Sequence, residues 1–197
     1  MKKERAKYGI PEVYLRALAL YTKGFDNEYY VREVQRLLET SSKTAHLLLN
    51  ELEKKGILES TRRGKIKIYK LRKNEIVKDY IILTEYFKKI IFLESNNLTN
   101  EIISKIKPFI KEIGIVFGSY VKGLQSKESD LDIFIIGAYN EKEVRKISET
   151  YGLEINVKSY PLSIFEKDYK KDLLIKEMID NHIIFKGTEE FIELILK

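Results

Sequence analysis

The sequence predicts an α+β protein in three stretches. A helical module closed by a β-hairpin spans residues 1–75, a helical connector spans 76–102, and a mixed sheet with flanking helices spans 103–197. Three observations predict this. Apolar residues recur at helical spacing through most of the first hundred positions, interrupted by one alternating, basic stretch. Two short apolar runs, Ile113–Phe117 and Leu131–Ile136, read as buried strands. The charge is also divided unevenly. Residues 1–75 hold 18 Lys and Arg against 10 Asp and Glu, a surplus of eight positive charges, whereas the remaining 122 residues hold 18 against 20. A basic first third on a near-neutral remainder points to a polyanion-binding module attached to something else.

The bulk composition bounds the rest. A chain of 197 residues with 44% hydrophobic and 34% charged residues builds a real core under a wet surface. Three prolines and ten glycines leave little room for disordered linkers. The absence of cysteine excludes disulfides and thiolate metal sites, and only two histidines argue against structural zinc. No apolar run approaches the roughly 20 residues of a membrane span, and MKKERAKYGI has no apolar leader, so a cytoplasmic protein that does not enter membranes is expected. There is no GxxxxGK[ST] loop, no GxGxxG and no Ser/His/Asp set.

Along the basic module, Pro11 suits a helix start and Gly24 its end, with Val13, Ala17, Leu20 and Tyr21 at helical spacing. A second helix is expected at about Tyr29–Glu39, burying Val31, Val34, Leu37 and Leu38. Ser41 or Ser42 can cap a third, whose apolar face is Ala45, Leu48, Leu49 and Leu52 and whose stop is Gly56. The segment ILESTRRGKIKIYKLRKN then reads as two strands around a turn at Arg62-Arg63-Gly64, with Ile66, Ile68 and Leu71 apolar. Seven of the twelve residues from Arg62 to Lys73 are basic and none is acidic. Lysine on a strand edge also guards against aggregation, so a solvated edge or a protein-docking module is the competing reading.

The order of helices and the string LNELEKKGILESTRRGKIKIYKL closely resemble the winged helix-turn-helix of prokaryotic transcription regulators. That resemblance implies that the third helix, Ser42 to Lys54, lies in the major groove of double-stranded DNA. Ser41, Ser42, Lys43, Thr44 and His46 would then face DNA, with Arg62, Arg63 and Lys65 on the wing near phosphates or the minor groove. It also implies a homodimer. In the connector, apolar residues at 76, 80, 83, 87 and 90 make a short 4-3-4-3 seam, and Ile82, Tyr86 and Leu93 make a second apolar face. The seam suits either a dimer contact or a helix packed between domains.

The second half turns on FGSYVKGLQSKESDLDIFII, Phe117 to Ile136. Alternate residues of a strand share a face, so Asp130 and Asp132 project together while Leu131 and Ile133 enter the core. Two carboxylates about 7 Å apart on one face repel and raise each other's pKa unless a cation compensates. A hard divalent cation such as Mg²⁺ does so most simply, accepting one or two carboxylates together with phosphate oxygens. Gly118 lets backbone N–H groups approach a phosphate, and Ser119 can donate one further bond.

This spacing, GSYVKGLQSKESDLDIFII, matches at Gly118, Ser119, Gly123, Ser129, Asp130 and Asp132 the minimal archaeal and bacterial form of the nucleotidyltransferases of the DNA polymerase beta superfamily. The tail KEMIDNHIIFKGTEEFIELI looks like the closing helix, short strand and final helix of such domains, with Ile183, Ile184 and Phe185 in the core and His182 structural. The resemblance implies an NTP as ligand or substrate, its phosphates met by Gly118, Ser119, Lys122 and Ser129, and Mg²⁺ on Asp130 and Asp132. It also implies a third acid on the next strand. There the sequence departs from the pattern. LEINVKSY places neutral Asn156 where that acid belongs, leaving Glu154, two positions earlier, as the substitute catalytic carboxylate, with Lys158 on the same face. The expected function is therefore a DNA-binding regulator with an NTP-binding or degenerate transferase domain. Alternatives are an active nucleotidyltransferase targeted by its winged helix, and the antitoxin-like partner of a toxin.

Overall fold

The computed structural model describes residues 9–126 and 129–197. The expected α+β class is what it shows; residues 1–8 and, in the loop before Asp130, residues 127–128 lie outside the described residues. Ten α-helices and seven strands are described in two sheets. Among the described residues no helix is long and apolar enough to cross a membrane.

The first part holds α1 (Glu12–Tyr21), β1 (Tyr29–Tyr30), α2 (Val31–Leu37), α3 (Ser42–Lys54), β2 (Leu58–Arg63) and β3 (Ile66–Leu71). The third helix forms where its capping and periodicity place it. Ser41 Oγ accepts the Thr44 N–H at 3.0 Å, and Ala45, Leu48, Leu49 and Leu52 are buried. The second helix starts later than expected, because Tyr29 and Tyr30 leave it to pair with β3 opposite Tyr69 and Ile68. In the helix Val34 is buried and Val31 and Leu38 pack partly buried against the core, whereas Leu37, expected to be buried, is exposed. Val13 is likewise exposed, at the open first turn of α1, where Tyr14 packs instead. In the hairpin β2–β3, Tyr69 is buried and Ile66, next to the turn, is 50% exposed.

The long helix α4 (Glu75–Ser95) joins the two parts, followed by α5 (Asn97–Ile106) and a single 3-10 turn at Lys107–Phe109. Then come β4 (Ile113–Phe117), the one-turn helix α6 (Ser119–Lys122), β5 (Leu131–Ile136), α7 (Glu141–Tyr151) and β6 (Ile155–Tyr160). The chain closes with α8 (Leu162–Asp168), α9 (Leu173–Asp180), β7 (His182–Lys186) and α10 (Thr188–Ile195). The second sheet is mixed, in the order β6-β5-β4-β7, with β6 parallel to β5 and the other pairs antiparallel. Both of its faces are covered. Leu131, Ile133 and Ile135 pack with α5 and α7, while Phe134 and Ile136 join Phe165, Met178 and Phe191 on the other face. That second core also contains Leu18, Tyr21 and Phe25, so one apolar cluster runs through both halves of the chain.

The buried stripe of α4 differs from the expected seam. Val77, Ile81, Thr84, Glu85 and Phe92 are buried, whereas Ile76, Leu83 and Ile90 are exposed. The reason is a polar cluster. Glu85 is fully buried, Lys88 Nζ donates to both of its carboxylate oxygens at 2.7 and 2.8 Å, and His182 Nε2 lies 3.2 Å from Glu85 Oε2. Lys88 also reaches Thr22 of the loop after α1 at 3.1 Å, and His182 Nδ1 meets the Ile179 carbonyl at 2.6 Å. Burial alone would push the Glu85 carboxyl up. The charges and hydrogen bonds of Lys88 and His182 outweigh it and hold the group down at about 2.

Because the folded value lies below the ordinary carboxylate value of 4.5, Glu85 stabilises the fold above that pH. Its contribution is lost as pH falls from about 4.5 toward about 2. Glu85→Ala is expected to cost about 3–5 kcal/mol at neutral pH, since it strands a buried ammonium. In urea unfolding, the parent should lose stability faster than Glu85→Gln across that acid window; equal acid slopes would remove Glu85 from this role.

Candidate functional site

The two aspartates sit at the open end of the sheet face that Phe134 and Ile136 share farther along β5. Asp130 precedes the strand and Asp132 is its second residue; both are half-buried. Asp132 pairs with Asn156 of β6 in the parallel register. The Asn156 side-chain amide reaches past it and donates from Nδ2 to Asp130 Oδ2 at 3.0 Å. Asn156 therefore occupies the neighbouring strand position as a hydrogen-bond donor, not as a third acid.

Gly118 closes the other side. It leaves β4 with φ 74°, a left-handed conformation, and a Cβ there would collide with Asp132 Oδ2. Gly123 also has positive φ, but nothing lies near its missing Cβ, so the space requirement is particular to Gly118. Ser119 opens α6, and its carbonyl accepts the Leu124 N–H at 3.0 Å. Lys122, at the end of α6, pairs with Glu177 of α9 at 3.1 Å. Ser129 Oγ accepts the Ser126 N–H at 2.8 Å and turns the chain into Asp130.

Burial raises the pKa of Asp132, helped by the charges of Asp130 and Glu177 and opposed by Lys158 and Lys122. Burial and Asp130 raise the Tyr120 hydroxyl in the same way. The pair is thus set in a mixed field of two acids and two lysines around Asp132. Glu177 was not singled out in the sequence. Ile175, Met178 and Ile179 are its buried helix-mates, which leaves it an ordinary exposed position on an amphipathic helix. Glu154 lies just before β6 with its side chain exposed; its carbonyl accepts the Leu131 N–H at 2.8 Å, and Asn156 takes the place beside Asp130.

These donors suit one hard cation held between the Asp130 and Asp132 carboxylates. They do not suit a second ion sharing a third acid, because the adjoining strand offers an amide N–H and then Lys158. Among the described residues no group of three or more His, Cys, Asp and Glu could hold a metal.

On the first part, Ser41, Ser42, Lys43, Thr44 and His46 are all exposed, together with Leu47, on one end of α3. Ser41 Oγ also meets Thr44 Oγ1 at 2.8 Å, and His46 meets the Asn50 amide at 3.2 Å. Tyr69 of the hairpin donates to Asn50 Oδ1 at 2.9 Å, and Lys67 pairs with Glu53 at 2.6 Å, fixing hairpin to helix. Arg62, Arg63 and Lys65 stand exposed around the turn, Arg63 bridging to Glu28 at 2.7 Å.

Residues 97–186 match the family model described as a nucleotidyltransferase domain. The nucleotidyltransferase match runs from the first residue of α5 to the last of β7, so Gly118, Asp130, Asp132 and Asn156 all fall within it. No curated protein matches the chain. Two solved structures align over most of it. One is the hypothetical protein PyrSV_gp04 from Pyrobaculum spherical virus, 13% identical, covering 92% of this chain and 99% of that one. The other is TrmBL2, an archaeal chromatin protein described as showing a novel mode of DNA binding, 15% identical, covering 88% and 71%. Each has a TM-score of 0.29, too low to carry an argument about this chain.

Proposed function

We propose that this protein is a DNA-binding transcription regulator whose nucleotidyltransferase domain binds an NTP with one Mg²⁺ and has lost nucleotidyl transfer. The observation that carries the second half is the Asn156 Nδ2 to Asp130 Oδ2 hydrogen bond. In-line transfer assisted by two metal ions needs an anionic group at that place, both to hold an ion and to help deprotonate the acceptor hydroxyl. An amide cannot take that proton and adds no negative charge to hold a second ion, and by donating to Asp130 it partly satisfies the charge such an ion would neutralise.

Binding does not need that acid. Asp130 and Asp132 would hold Mg²⁺, which when bound would supply positive charge toward the phosphates of an NTP. Gly118 gives backbone access, Ser119 and Ser129 offer hydroxyls, and Lys122 supplies a positive charge once it leaves Glu177. With labelled NTPs and Mg²⁺ or Mn²⁺, no label should pass to acceptor from the parent protein, while Asn156→Asp should gain transfer. Robust transfer by the parent, abolished in Asp130→Asn with Asp132→Asn, would establish the active-enzyme reading instead, with Glu154 as the candidate third acid.

The DNA-binding half is supported by the surplus of eight positive charges in residues 1–75 and by the exposure of Lys43, His46, Arg62, Arg63 and Lys65. In this reading the first part is a winged helix, α3 entering the major groove and the β2–β3 turn lying along the backbone. Each phosphate contact removed lowers the salt slope of binding by about 0.9. Replacing Arg62, Arg63 and Lys65 with Ala should therefore flatten the slope by roughly two to three units; an unchanged slope would reject the wing assignment.

The occupant proposed for the exposed stripe of α4 is a second copy of the chain. Ile76, Leu83 and Ile90 are 50%, 38% and 52% exposed. Their spacing is symmetric about Leu83, so a two-fold axis there sets Leu83 against Leu83 and Ile76 against Ile90. Two basic modules related by such an axis suit a two-fold DNA site. Sedimentation should give a dimer for the parent and a monomer for Leu83→Lys. A parent that remains monomeric at micromolar concentration overturns this assembly.

A further inference from the structure

A cavity of about 500 Å³ opens where α1, α4, α6 and the start of β7 meet. It is separate from the aspartate pair, since neither Asp130, Asp132 nor Gly118 lines it. Its size falls in the range of small-molecule sites, roughly 300–1,000 Å³. One wall is apolar and aromatic, made by Phe87, Ile91, Phe92 and Val121. The polar groups lie together. Lys88 and His182 come from the buried Glu85 cluster, Lys23 stands exposed on α1's side, and Asn96, Asn181 and Gln125 add amides. Asp180 is the acidic side chain in the lining, and it is exposed.

Lys88 is shifted down first by burial and, against the pull of Glu85, further by the charge of Lys23. Lys88's hydrogens are taken up by Glu85 and Thr22, and its charge is balanced by Glu85. Exposed Lys23 and the amides are left for direct contact. An anionic head is what the Lys23 ammonium among amide donors recognises, and the Phe87 wall calls for an apolar body behind it.

We propose that this cavity is a binding site for a small amphipathic anion, an aromatic or aliphatic body carrying one carboxylate, sulfonate or phosphate, held by Lys23 against the Phe87–Ile91–Phe92 wall. Such a ligand would touch α1 of the basic module and, through Tyr120 and Val121, the one-turn helix beside the aspartates. The site rests on neither the DNA nor the nucleotide reading.

The test titrates anilinonaphthalene sulfonate, an aromatic anion whose fluorescence rises on binding, into the full-length protein. Saturable binding displaced by octanoate is expected. Lys23→Glu, an exposed change, and Val121→Trp, which fills the cavity, should each weaken the probe by about tenfold or more, the scale of one charge-assisted contact. Circular dichroism melts establish folding, and if Val121→Trp unfolds, Lys23→Glu decides alone. Parent-like affinity in the folded variants overturns the proposal. So does displacement of the probe by ATP–Mg²⁺ but not by octanoate, which would put the probe at the aspartate pair. Both outcomes leave the label-transfer result untouched.

Discussion

A fully buried carboxylate, Glu85, holds the two halves of this chain in their mutual arrangement. It lies on α4, is neutralised by Lys88 one turn later, and is shared with His182 at the head of β7. Lys88 extends the same network to Thr22 after α1. Charges taken out of water are costly, and such clusters contribute little net stability over an apolar replacement. What the cluster contributes is discrimination. Only one rotation of α4 brings Glu85 and its helix-mate Lys88 to both His182 and Thr22. The apolar residues around it, Leu18, Tyr21, Phe25 and Phe191, follow that rotation. Phe25 stacks on the His182 ring at 6.1 Å and meets Phe191 edge-on at 6.3 Å. Peripheral pairs, Lys78 with Glu193 and Tyr86 with Glu189, add hydrogen bonds along the same junction.

The rotation explains which parts of the fold were legible in the sequence. The helix Ser42–Lys54 and the strands Ile113–Phe117 and Leu131–Ile136 could be read because cap, periodicity and apolar run agree there. The connector could be read as a helix but not oriented. It is apolar on several sides, and a Glu and a Lys are the last residues a sequence reading would bury. The choice between its faces was made by His182, nearly a hundred positions later. Tyr29 and Tyr30 were lost to a strand for a similar reason, since their partners Tyr69 and Ile68 are remote in sequence.

The candidate site divides along the same line. The glycine, serine and two aspartates declare themselves by spacing, and Asn156 declares itself as a departure from it. The direction of its amide, toward Asp130 and not toward its register partner Asp132, is a matter of packing and could not be read. Glu177 had no signal at all, because its effect on Asp132 depends on how α9 lies across the sheet. The interplay of Lys122, Lys158 and Glu177 at Asp132 is thus a property of the assembled fold.

The shared helix α4 also bears on how such a chain could arise or be taken apart. Val77 and Ile81 belong to the core that contains the first helices, while Phe92 belongs to the layer under the second sheet. A genetic exchange at either end of this helix would hand one product an apolar flank with a stranded carboxylate and the other a hollow core. Replacing one half with a homologous piece would require the helix, the histidine facing it and the loop after α1 to travel as a set.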